Sequence, residues 1–327
     1  MLLITNGDSA ADQVRRSGLP GEVLPWRDVL HEGPVPSGLS IDDLREVRAR
    51  FIAEQGWGDF DELMSCFARR DATLAGFRDH EEVVLLFEHD LYDQLQLIQV
   101  LDWFGQQNLG ATKLSRVHAD EYLGTLAPDR MRDLFQDRCE VSARELGLGR
   151  DAWEAFGSPD PMRISTLVRE DTSAVPFLRD ALLRHLEQFP SVENGLSRSE
   201  AQALEVISGG GSVLRDAFIA FHQEREELIF LSDAVFASYL EGLSRVSNPL
   251  VLLEDDAEIR APRGSVDHSK FWDSKAIVTE SGLAVLEGRE DRIELNGLDR
   301  WLGGVRLGGD EARWRWNASA HRLQRAA

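Results

Sequence analysis

Seven consecutive residues, Glu88-His89-Asp90-Leu91-Tyr92-Asp93-Gln94, bring three carboxylates, an imidazole and an amide within two helical turns. Carboxylate oxygens and imidazole nitrogens suit a divalent cation such as Mg²⁺ or Mn²⁺, and the same groups can move protons. Two further polar clusters carry similar chemistry: Asn6-Gly7-Asp8-Ser9, and Asp28-Val29-Leu30-His31-Glu32-Gly33. Ser9, His31 and Asp28 are the residue types of a nucleophile, its base and the acid that orients the base. His89 and Asp90 are the other candidates for catalysis. Asn6, Gly7, Asp8, Glu32, Gly33, Glu88, Asp93 and Gln94 are candidates for contact with a ligand.

Several of these residues also have a plainer role. Asp90 followed by Asp93 resembles an N-cap with its capping box, and Ser9 with Asp12 repeats the spacing. Capping accounts for those four residues. It leaves unexplained Asp8, Asp28, Glu32, Glu88, His89 and Gln94, which arrive at neighbouring loop ends. Helix N-termini attract anions, yet so many carboxylates repel them. A divalent cation, Mg²⁺ or Mn²⁺, resolves that conflict. Carboxylates facing His89 would raise its pKa. Trp26 and Tyr92 could stack on a base or sugar, or lie buried beneath the loops. No glycine-rich phosphate loop of the Walker or dinucleotide type is present.

Two strand–loop–helix junctions, and the loop after a further strand, are expected to position these groups. Leu2–Thr5 reads as a strand before a helix over 10–16, and Glu22–Trp26 as a second strand. Val83–Phe87 is an apolar run that opens into helical spacing through Leu95, Ile98, Leu101 and Phe104. Apolar spacings of three and four predict helices over 40–55 and 59–76, and a further strand is expected over 114–118. The pattern predicts an α/β fold: a Rossmann-like three-layer domain with a mainly parallel sheet, whose ligands would bind at the carboxyl edge of the strands. This domain is expected over residues 1–125.

Residues 126–195 read as a helical connector, with helices over 131–136, 143–156 and 175–189. Residues 196–327 show helices over 197–208, 212–222 and 232–245, then strands over 250–254 and 276–279, the order of a winged-helix-like domain. A closing hairpin is expected to pair Val305–Asp310 with Arg313–Trp316.

The formal charge of −21 over 327 residues disfavours phosphate backbones and anionic membranes as partners. The winged-helix-like segment does not escape this balance: residues 196–310 carry 12 Lys and Arg against 21 Asp and Glu. Duplex DNA is therefore disfavoured, and a protein partner for this domain is expected instead. No apolar run approaches the ~18 residues that span a bilayer. The first residues lack a basic stretch followed by a long apolar core, so a cytoplasmic location is expected. Cys66 and Cys139 form no metal-type spacing and are expected to be buried thiols.

Three ordered motifs, Asn-Gly-Asp-Ser-Ala (6–10), Trp-Arg-Asp-Val-Leu-His-Glu-Gly-Pro (26–34) and Phe-Glu-His-Asp-Leu-Tyr-Asp-Gln-Leu (87–95), resemble an uncharacterised bacterial domain-of-unknown-function family (the 1835 series). Leu-Asn-Gly-Leu-Asp-Arg-Trp-Leu-Gly-Gly (295–304) resembles the C-terminal half common in such proteins. The resemblance implies the first domain and no activity. A Gly-Asp-Ser opening also occurs in a large family of serine esterases. There the Asp-x-x-His lies near the C-terminus and a Gly-x-Asn-Asp block intervenes; neither holds here.

The expectation is thus a small-ligand site, metal-assisted and suited to a phosphorylated or nucleotide-like molecule, at the edge formed by Asp8, Ser9, Asp28, Glu32, Glu88, His89, Asp90 and Asp93. Whether it turns its ligand over or senses it stays open. The alternatives are a ligand-sensing regulator that works through the winged helix, and a serine hydrolase.

Overall fold

The computed structural model describes residues 1–209, 213–264, 268–309 and 313–326. The chain forms two compact units: Met1–Arg50, Phe60–Leu183 and Gly303–Val305 in one, and Phe51–Asp59, Arg184–Leu302 and Arg306–Ala327 in the other. The helical stretch over 126–195 therefore divides, its residues through Leu183 clustering with the first unit.

The first unit is built on strands β1 (Leu2–Thr5), β2 (Glu22–Pro25), the short β3 (Gly33–Pro34), β4 (Glu82–Phe87), β5 (Lys113–His118) and β6 (Cys139–Glu140). Five of them form one sheet in the order β2-β1-β4-β5-β6. β1 pairs in parallel with both β2 and β4, and β4 with β5; only the edge strand β6 runs antiparallel. All six residues of β4 are buried, which is why its sequence is continuously apolar after Glu82 instead of alternating.

Helices α1 (Asp8–Arg16), α2 (Ile41–Glu54), α3 (Phe60–Ala75), α4 (Leu91–Gly105), α5 (Pro128–Gln136), α6 (Ala143–Phe156), α7 (Met162–Leu167) and α8 (Leu178–Leu186) follow in chain order. Leu3, Val84, Leu86 and Val117 pack with Ala10 and Val14 of α1 and with Met131, Leu134 and Phe135 of α5, so these two helices cover one face. α3 packs on β2, and α4 packs on β4 and α6. Three layers result.

The strand order explains where a ligand could sit. From β1 the chain crosses by α1 to β2 on one side; from β4 it crosses by α4 to β5 on the other. Crossovers in opposite directions diverge at the carboxyl ends of β1 and β4, the place where folds of this order hold their ligands.

In the second unit come α9 (Arg198–Ser208), α10 (Leu214–Ala220), α11 (Asp233–Ser244) and antiparallel strands β7 (Val251–Leu253) and β8 (Ala276–Val278), with Val213 bridged to Lys275. Helix, bridge, two helices and a strand pair is a winged-helix-like order. Ser232 caps α11 by accepting from the Val235 N–H. Of the helix expected over 212–222, Ser212 lies outside the described residues and Phe221 begins a π-helical turn. The expected closing hairpin is corrected. Trp314–Asn317 pairs with the following Arg322–Arg325, using the polar turn at 318–321, and Asp310 lies outside the described residues.

Candidate functional site

Glu88, Asp90 and Asp93 meet at the end of β4, each with a carboxylate oxygen within 4.8 Å of the others, and all three are buried. Local sequence explains the convergence. Val84, Leu86 and Glu88 alternate onto one face of the strand, and Asp90 then caps α4 by accepting from the Asp93 N–H at 3.1 Å. One helical turn returns Asp93 beneath the loop, where its Oδ1 accepts the Glu88 N–H at 2.7 Å. Gln94 Nε2 donates to the Glu88 carbonyl at 2.5 Å, while its Oε1 is buried without a hydrogen-bond partner.

Asn6, just past β1, closes the crevice from the other side. Its Nδ2 donates to Asp93 Oδ2 at 2.6 Å and to Glu88 Oε1 at 3.2 Å. The Leu123 N–H donates to Glu88 Oε1 at 2.7 Å. Leu123 and Gly124 were not legible as site residues: they belong to a short 3₁₀ turn, Leu123–Thr125, with no charged side chain to mark them. A Cβ at Gly124 would lie 2.6 Å from Ser9 Oγ, so glycine permits this turn to close on α1.

The electrostatics follow from the packing. The neighbours that shift the three carboxylates most are one another, backbone N–H groups and Asn6, with no lysine or arginine among them. Burial raises the pKa of all three: Asp90 is pushed up to about 8, with Glu88 adding repulsion, and Asp93 is driven well above the usual range by burial and both neighbours. Carboxylates this close cannot all stay ionised without a counter-charge.

The remaining candidates are distributed differently. His89 is half-buried, its ring packed on Tyr122 at 5.0 Å and Phe177 at 5.9 Å, outside the carboxylate group. Burial lowers its pKa by more than the nearby Asp120 raises it, so the rise expected if Glu88 and Asp90 faced the ring does not prevail. Asp8 is exposed and clamped by Arg27, whose Nη2 lies 2.6 Å from Oδ1; that hydrogen bond lowers the Asp8 pKa. Ser9 is not an N-cap. It lies inside α1, whose N-cap is Gly7 with no side chain capping the helix, and Asp12 pairs with Arg15 at 2.9 Å.

Asp28 is buried in a separate ion pair: Arg48 reaches its Oδ1 through Nε at 3.0 Å and Nη2 at 2.8 Å. Arg48 also donates to the carbonyls of Glu32 and Val29. The His31 ring packs edge-on against Tyr92 at 5.8 Å. Arg48 thus competes with any imidazole for the Asp28 carboxylate that the Ser9, His31 and Asp28 reading needs. Gly33 supplies the positive φ, 77°, at the start of β3. Trp26 is buried and donates to Gln99 Oε1 at 2.8 Å, so it is not presented to the crevice as a stacking surface.

No model of a known protein family matches this chain, and no curated protein matches it. The functional reading therefore rests on the site.

His118 ends β5 at the same sheet edge, with Nε2 3.3 Å from Cys139 Sγ. Cys139 is exposed and Cys66 intermediate, so neither is the buried thiol expected. β6 is an edge strand of only two residues, which leaves its side chains accessible. No helix among the described residues is long and apolar enough to cross a membrane.

Proposed function

We propose that this protein binds a divalent cation through Glu88, Asp90 and Asp93 and uses it to hold a small anionic ligand, phosphorylated or nucleotide-like, in the crevice between β1 and β4. The observation that carries this reading is the convergence of three buried carboxylates whose strongest electrostatic neighbours include no lysine or arginine. Hard oxygen donors of this kind match Mg²⁺ or Mn²⁺, with the ligand and water completing the shell. The first turn of α1 supports the anion half of the reading. Gly7 leaves its N–H groups without a side-chain cap, and such groups attract a phosphate or carboxylate. The α4 end is capped and acidic, the α1 end uncapped, so one crevice offers both a cation seat and anion donors.

A thermal-shift titration at pH 8 with Mg²⁺ or Mn²⁺, alone and with inorganic phosphate or nucleotides, tests it. The midpoint rises with the cation, rises further with the anion, and does neither in Glu88→Gln/Asp90→Asn. If protons alone neutralise the cluster, neither cation moves the midpoint. Hydrolysis of a stabilising nucleotide would then separate turnover from sensing.

A second reading is a ligand-sensing regulator whose winged-helix-like unit contacts another protein. Arg245 at the end of α11 is engaged by Glu241 at 3.1 Å and Glu258 at 3.4 Å, which argues against phosphate contact. Its test is a mobility assay on duplex DNA at low salt, expected to show no complex, together with partner binding by Arg245→Ala.

A further inference from the structure

On the first unit, a cavity of about 270 Å³ lies among α2, α3 and α4 and contains none of the three cluster carboxylates. At ~30 Å³ per water it has room for roughly nine water volumes, enough for a small organic molecule. Its lining is half apolar and aromatic and half polar, so it offers both a surface for an apolar body and groups that could orient it. Leu39 and Ile41, both exposed, also line it.

Arg70 gives the cavity its chemistry. The guanidinium is 4.2 Å from the centre of the Trp26 ring and 4.7 Å from that of Phe67, and the side chain is 9% exposed. Nε and Nη2 both reach Asp71 Oδ1 at 2.9 Å, whereas Nη1 is buried with no hydrogen-bond partner. An unmade bond at a buried cation is costly, so an acceptor oxygen is the missing component.

The neighbouring charges are already committed to one another to different degrees. Asp71 is shared, its Oδ2 lying 3.0 Å from Arg45 Nη2, so two guanidiniums meet one carboxylate. The other partner of Arg45 is Asp42, 84% exposed and screened by solvent. Arg48 and Asp28 form a closed pair. Asp102 also lines the cavity. It accepts from Gln106 Nε2 at 3.0 Å, and burial raises its pKa, which weakens its claim on the arginines. Three arginines and three aspartates line the cavity, so it is the unmade bond at Arg70 Nη1 that favours an acceptor oxygen there.

We propose that this cavity is a second ligand site, specific for a small carboxylate with an apolar body, its oxygen atoms on Arg70 and its body against Trp103, Leu44 and Ile41. Binding is independent of the cation site at Glu88.

Isothermal titration with phenylacetate, and with benzylamine as the cationic counterpart, tests this in the presence of a chelator. Phenylacetate binds with a dissociation constant below about 5 mM and benzylamine binds at least about tenfold more weakly, a difference of about 1.4 kcal/mol. Arg70→Gln retains the wild-type circular dichroism and loses phenylacetate binding by about tenfold or more. Leu44→Trp, which fills the cavity but leaves Arg70 in place, also blocks it. Absence of phenylacetate binding to the wild type overturns the proposal. So does equal binding of the amine, or unchanged binding in Leu44→Trp.

Discussion

The Asn6 amide donates to the Asp93 carboxylate at 2.6 Å, joining the end of β1 to the first turn of α4 across the point where the strand order reverses. The position requires a donor that carries no negative charge. Asn6→Ala leaves two carboxylates short of a donor and should cost about 1–3 kcal/mol in urea unfolding. Asn6→Asp adds a fourth carboxylate and should cost more at pH 8 without metal. If Mn²⁺ occupies the cluster, it restores most of the Asn6→Asp loss and little of the Asn6→Ala loss.

The cluster makes stability depend on pH in a defined direction. Asp90 rises from its ordinary 3.8 to about 8 in the folded protein, so the native state holds protons that the unfolded state releases. Stability from this group is complete below about pH 4 and is lost as pH rises toward 8. Asp90→Asn keeps a competent N-cap and removes the charge. In the absence of metal its advantage over wild type should therefore grow by about 1 kcal/mol per pH unit between pH 5 and pH 8, being clearly larger at pH 8 than at pH 5. Chemical denaturation at the two pH values checks the sign.

Asp8 and Ser9 carry the most suggestive residue types near the N-terminus, yet neither enters the cluster. Asp8→Asn removes an exposed pair with Arg27 and should change stability by no more than about 1 kcal/mol. Ser9→Ala should leave any cation-dependent thermal shift unchanged. Loss of that shift in either variant would place the cation nearer α1.

Arg48 and Asp28 form the most deeply buried ion pair of the first unit, at 1% and 2% exposure. Arg48→Met strands the Asp28 carboxylate and removes a donor from the carbonyls of Val29, Glu32 and Pro34, and should cost about 3–5 kcal/mol. Asp28→Asn should cost less, because the amide oxygen still accepts from Arg48. A hydrolase triad predicts the opposite emphasis: loss of labelling by an active-site serine reagent in Asp28→Asn, with modest stability effects in Arg48→Met.

Much of the fold could be read from periodicity. The buried run 83–87 and the spacing through α4 are local signals, and the parallel sheet, its carboxyl edge and the cap at Asp90 follow from them. Partner choice across the chain was not local. Nothing near Asp28 announces that Arg48, on a helix twenty residues later, takes its carboxylate, nor does Asp8 announce Arg27. His89 looked acid-flanked in sequence, but a loop residue's neighbours in the chain point to different sides, and its ring turned to Tyr122 and Phe177. Leu123 and Gly124 contribute a backbone N–H and a missing Cβ, which no side-chain motif encodes. Gly308-Gly309 dominates the local turn signal for the terminal hairpin, yet Trp314–Asn317 pairs across 318–321.

The central claim concerns the cation, and Mn²⁺ paramagnetic resonance at pH 8 measures it directly. Titration of the wild-type protein should remove one equivalent of free Mn²⁺ signal per chain, and Glu88→Gln/Asp90→Asn, folded by circular dichroism, should remove none. Free Mn²⁺ signal growing from the first addition with the wild type, or identical uptake by the double variant, would contradict the account and leave the three carboxyls as a proton-shared clasp for the β4–α4 loop.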